Sequence, residues 1–155
     1  MKGFTFIELI ITVGIIIFLF MSLVAGYNRF TDVALLKQAA LTLKNNLRLA
    51  QSKAISGSKP LGLPCDQLIG YKLAFTQTTY TIQALCNPSQ PLASTTTITL
   101  TGNVSFSPVP SPVTFRVLTQ GVDIAVDSTF TLIRGSKKYR LTLTPQGEIS
   151  DVGLQ

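Results

Sequence analysis

Residues 1–29 read MKGFTFIELIITVGIIIFLFMSLVAGYNR, and they decide how the rest of the chain is built. Between Lys2 and Arg29 the sole formal charge is Glu8, and the 18 residues from Leu9 to Gly26 include only Thr12 and Ser22 as polar members. Such a run is long enough to cross a bilayer as a helix. A carboxylate inside it costs about 3 kcal/mol on insertion scales, so an acid at Glu8 without a function would be rare. Three plainer readings compete. A secretory signal would have a shorter apolar core and a small-residue cleavage site, for which Val24-Ala25-Gly26 is a weak candidate. A simple anchor explains the apolar run and leaves Glu8 without a purpose. A buried helix of a soluble protein would be shorter and capped at both ends.

Working outward, the helical period continues past Gly26. Phe30, Val33, Leu36, Ala40, Leu43, Leu47, Ala50 and Ala54 recur at steps of three and four, while Arg29, Lys37, Lys44, Arg48 and Lys53 fall mostly off that stripe. The pattern predicts one amphipathic helix that packs on a sheet, ended by Gly57 and Pro60. Beyond it, alternation and β-branched content predict strands at Tyr71–Phe75, Tyr80–Leu85, Thr95–Leu100, Val113–Leu118, Thr129–Ile133 and Lys138–Thr144, with a short one near Glu148–Ser150. The first two form a hairpin around Thr76–Thr79. Pro88, Pro91, Pro108, Pro110 and Pro112, with Gly102-Asn103, Gln120-Gly121, Arg134-Gly135 and Gln146-Gly147, punctuate them. No internal repeat or long linker divides this part, and 155 residues suffice for one compact domain.

The chain has no His and two Cys, so a structural zinc site of four such ligands cannot be assembled, and a Ser-His pair is excluded. The carboxylates Asp66, Asp123, Asp127, Glu148 and Asp151 show no catalytic-pair or metal-loop spacing; Asp123 and Asp127 flank a short apolar stretch and are the candidate calcium ligands, without a recognisable oxygen set around them. The expectation is a non-enzyme with no cofactor. A net charge of +6 suits an anionic partner or plain solubility equally.

The opening Met-Lys-Gly-Phe-Thr-Phe-Ile-Glu-Leu resembles a prepilin leader followed by the start of a mature type IV pilin or pseudopilin. The resemblance implies cleavage by a prepilin peptidase after Gly3, methylation of the new amine of Phe4, and a role for Glu8 as the glutamate fifth in the mature chain. In the family's picture Glu8 of an incoming subunit pairs with a neighbour's N-terminal amine. A pair of this kind adds little net stability but penalises wrong registers, because a lone buried charge is costly. The implied organisation is a leader at 1–3, a transmembrane and filament-core helix at 4–26, an exposed amphipathic half at 27–56 and a globular β domain at 57–155. Together these make an α+β type IV pilin fold, with the long N-terminal helix against an antiparallel sheet. The implied partners are other pilin or pseudopilin subunits, the peptidase and an inner-membrane assembly platform. The implied location is the inner membrane, single-pass with the globular domain outside the cytoplasm, and then the filament. Basic residues on both sides of the helix do not themselves argue for that orientation. The membrane segment also lacks the proline that many pilins carry, leaving Gly14 and Gly26 as its weak points.

Leu43–Ile55 and the stretch from Tyr139 through Gly147 are similar to the minor H-type pseudopilins and their pilus relatives, more loosely than the leader is. Relatives that bind DNA carry an arginine after the final turn glycine, where this chain has Glu148 after Gly147. A DNA-binding alternative would use the basic cluster Arg134, Lys137, Lys138 and Arg140 to hold phosphates. A solvated turn is the simpler explanation of that cluster. Cys65 and Cys86 sit on either side of the first hairpin; with the domain outside the cytoplasm a disulfide is the natural reading, and two buried thiols are the alternative.

Overall fold

The computed structural model describes residues 5–61, 65–87, 95–118 and 121–155, and over 22–29 the helical backbone alone. The expected turn residues Pro88, Pro91 and Gln120 lie outside the described residues. Two compact units divide the chain, residues 1–34 and residues 35–155. Helix α1, Phe6–Ile55, contributes to both.

In the first unit α1 begins as a capped helix. Thr5 Oγ1 accepts the Glu8 N–H at 3.4 Å, and the Leu9 N–H reaches the Thr5 carbonyl at 3.2 Å, so two N-terminal donors are satisfied. The hydroxyl of Thr12 donates to the carbonyl of Leu9 at 2.9 Å, which hides the polar group of this residue on the helix itself.

The second unit is α+β. Its described residues hold the rest of α1 and eight strands: β1 Gln67–Phe75, β2 Thr79–Asn87, β3 Thr95–Thr99, β4 Ser105–Phe106, β5 Val113–Arg116, β6 Ser128–Arg134, β7 Lys137–Leu143 and β8 Ile149–Leu154. All pairings are antiparallel. Where one sheet was expected there are two, four-stranded each, in the orders β3-β2-β1-β5 and β4-β6-β7-β8. The chain leaves the first sheet for the second after β3, through a turn in which Gly102 and Asn103 both take positive φ, at 70° and 56°. A backbone bond, Phe106 N–H to Gln77 carbonyl at 2.8 Å, ties the β1–β2 turn to β4.

The helical stripe anticipated from the sequence is the seam of this unit. Leu36, Ala40, Leu43, Leu47, Ala50 and Ala54 are fully buried, with Ala39 nearly so. They join the inward residues of both sheets in one core that includes Leu73, Tyr80, Phe106, Phe130 and Leu141. Phe75 is the hub of its aromatic part, with ring centroids 5.5 Å from Phe106 at 75° and 5.2 Å from Phe130; edge-on packing suits ring quadrupoles. Phe30, also on the predicted stripe, is 73 % exposed, so the stripe is buried from Leu36 onward.

Polar groups fix the helix against these sheets. Asn46 donates to the Tyr80 hydroxyl at 2.6 Å, Gln51 to the Gly147 carbonyl at 2.9 Å, and Lys44 pairs with Asp151 on β8. The helix stops through glycine as expected. Gly57, at φ 62°, donates to Ala54 at 3.1 Å while Ser58 donates to Lys53 at 3.0 Å, the pair of bonds that closes a Schellman cap. Beyond the cap the Tyr71 hydroxyl donates to Ser58 at 2.6 Å and Lys59 to the Asp66 carbonyl at 2.6 Å. Cys65 and Cys86 form a disulfide across a separation of 21 residues, joining the entry of β1 to the end of β2.

Candidate functional site

Gly3 and Phe4, the expected processing junction, lie outside the described residues. Glu8 is in the first turn of α1 and exposed. Its backbone N–H is held by Thr5, so Thr5-Phe6-Ile7-Glu8 forms the first half of a capping box. That role was readable in the sequence, since Thr-x-x-Glu ahead of an apolar run is a helix-start signature. A carboxylate there also faces the positive end of the helix dipole.

Around Glu8 the helix offers hydrocarbon to its surroundings. Of the large apolar side chains described between Phe6 and Met21, the least exposed is Val13 at 46 %, and Phe6 reaches 80 %. There is no buried face in this stretch. The described side chains of the apolar run stop at Met21, and among the described residues no helix is long and apolar enough to cross a membrane.

The basic cluster is divided by strand alternation. β6 and β7 form a hairpin whose register opposes Arg134 to Lys137, Ile133 to Lys138 and Thr131 to Arg140, around a two-residue turn with Gly135 at φ 55°. Because Leu132, Tyr139 and Leu141 point to the core, Arg134 and Lys137 belong to that side and Lys138 and Arg140 to the opposite one. Arg134 lies against Gly102: a Cβ added there would stand 3.0 Å from Nη1 and 3.1 Å from Leu35. Lys137 and Lys138 are exposed, whereas Arg140 is half-buried.

Asp123 and Asp151 have structural partners. Asp123 accepts from Arg116 at 2.7 Å, so one of the two candidate calcium ligands is committed to a guanidinium, and among the described residues no group of three His, Cys, Asp or Glu is placed to hold a metal ion. Asp151 faces Lys44 and also the Tyr139 hydroxyl, whose pKa is pushed up from its ordinary value by burial and then by this carboxylate. Burial also pushes Tyr80 up, partly offset by the bond from Asn46, and pushes Tyr71 up. A hollow of about 320 Å³ lies beside Tyr71, with Lys53 5.9 Å above that ring.

No family model, curated protein or solved structure matches the chain. The functional reading therefore rests on the residues themselves.

Proposed function

We propose that this chain is a minor pilin or pseudopilin, a structural subunit built through its N-terminal helix into a type IV pilus or a type II secretion pseudopilus. One observation carries the reading: a capped helix that exposes large apolar side chains all round, with Glu8 as the sole acid of its apolar stretch. Apolar surface of that extent calls for lipid or other subunits as its surroundings. A carboxylate there needs a cation, which cleavage after Gly3 would supply as the amine of Phe4 on a neighbouring copy. The disulfide agrees with a domain that folds outside the reducing cytoplasm.

Intact-mass measurement and N-terminal sequencing of membrane-extracted protein test this directly. The expected mature chain begins at a methylated Phe4; a start near Tyr27 would establish a secretory signal and overturn the proposal. The DNA-binding alternative draws on Lys138 and Arg140, which share an outward face. It expects binding by the full chain in detergent to weaken with salt, with a shallower slope in the Lys138→Gln/Arg140→Gln variant.

A further inference from the structure

The turn that carries the chain from β3 to β4 is anchored on both sides. Before it, Leu100 donates its N–H to the Thr78 carbonyl at 2.8 Å and packs on the core. After it, Val104 and Phe106 are buried, and Phe106 is bonded to Gln77. Between these anchors Thr101, Gly102 and Asn103 are exposed, and the successive positive φ angles of Gly102 and Asn103 reverse the chain. The side chain of Asn103 therefore stands on a fixed, solvent-facing corner.

Turn chemistry accounts for an asparagine here, because it tolerates the left-handed region better than most residues with a Cβ. It does not account for Ser105. That residue opens β4 opposite Ile133, half-buried, where a β-branched side chain would suit the strand better. Among the described residues no hydrogen bond uses its hydroxyl or the Asn103 side-chain amide. Together the three residues read Asn103-Val104-Ser105, the Asn-x-Ser pattern of an N-glycosylation acceptor. The sequence has no other: Asn28, Asn45 and Asn46 have Phe30, Leu47 and Arg48 two residues on, and Asn87 is followed by Pro88, which bars acceptance.

We propose that Asn103 is a glycan attachment site, its donor a sugar activated as a lipid-linked glycosyl pyrophosphate. The bond from Asn103 Nδ2 to C1 of the sugar forms as the C1–O bond to the pyrophosphate breaks. The electron pair of the broken bond leaves on the phosphate oxygen, and one amide proton passes to a carboxylate of the transferase. Ser105 supplies the hydroxyl by which the transferase holds the acceptor; as the first residue of a two-residue strand it is released by a small local opening. A glycan here needs a compartment outside the reducing cytoplasm, with which the disulfide agrees, and is independent of the assembly role given to Glu8.

Mass spectrometry of the full chain, isolated from the membranes of its own cell, tests the site. After reduction, trypsin releases residues 73–116 as one peptide, since no Lys or Arg lies between Lys72 and Arg116. That peptide should be heavier than its sequence requires by a whole number of sugar residues. Ser105→Ala should abolish the added mass and Ser105→Thr should keep it, two variants that leave the turn residues unchanged. Asn103→Gln should abolish it as well. Cleavage of the leader alters only the N-terminal peptide, so this result is read apart from the processing test. An unmodified peptide from the native chain, added mass that survives Asn103→Gln or Ser105→Ala, or its loss in Ser105→Thr would each overturn the proposal.

Discussion

Gly70 is the residue at which side-chain size decides the packing. An added Cβ would lie 2.3 Å from the carbonyl oxygen of Phe115 on the neighbouring strand, and a backbone atom cannot swing aside. Gly70→Ala should therefore destabilise the protein by about 2 kcal/mol, measured as a fall in urea midpoint with unchanged m. Lys44 and Asp151 form a second point of control. Their side chains are 15 % and 33 % exposed, so solvent screens the pair partially. Removing either partner should cost about 1–2 kcal/mol. A double-mutant cycle with Lys44→Met and Asp151→Asn is expected to show positive coupling, and additive effects would refute the pair. From Leu36 to Ala54 the seam residues were legible from periodicity, apart from Ala39, while Phe30 on the same stripe is exposed. Gly70 was not, because its constraint comes from a strand some 45 residues away in sequence whose position no local pattern encodes.

At the level of elements, the strands with clean alternation were legible and the irregular ones were displaced. β1 begins at Gln67, four residues before the expected Tyr71, because the register shift between Leu68 and Gly70 breaks the period of two. β8 runs to Leu154 and not only to Ser150, since a second shift opposite Arg140 and Leu141 leaves Val152 between two pairings and breaks the period of two beyond Asp151. β4 has two residues, too few to leave a periodic trace. The hairpin of β1 and β2 carries a further expectation. Alkylation of denatured, unreduced protein should label neither Cys65 nor Cys86, and reduction should cost roughly 3 kcal/mol of stability in chemical denaturation. Stoichiometric labelling without reductant would contradict the bond.

For the whole molecule, two measurements bear on how its parts act together. Burial raises Tyr71, Tyr80 and Tyr139 above their ordinary value of 10.0. The native state thus favours the protonated phenols. The stability they contribute is complete below pH 10 and is lost as pH rises above it. Ultraviolet titration should show these tyrosinates forming late, and Tyr139→Phe should lessen the alkaline loss. Glu8→Leu tests the assembly role: membrane insertion should equal or exceed that of the parent, since an acid penalised by about 3 kcal/mol is gone, while incorporation into filaments falls. Comparison at matched membrane abundance, with cleavage after Gly3 verified, separates a pilin from an anchor; full incorporation would show that Glu8 is dispensable. The division into two sheets was not legible, because it depends on how the turn at Gly102 and Asn103 redirects the chain and not on any strand's composition.

The alanines of the seam have one more implication. Ala39, Ala40, Ala50 and Ala54 lie buried on the face of the helix turned to the sheets, and Asn46, Gln51 and Lys44 tie the same helix to Tyr80, Gly147 and Asp151. Any larger residue at these four positions acts as a shim: it lifts the helix and stretches all three polar tethers together. Variation along the seam is consequently one-sided, open to glycine at the expense of helix propensity and closed to growth. Repair would need a compensating reduction elsewhere in the same core, for example at Leu73 or Leu141.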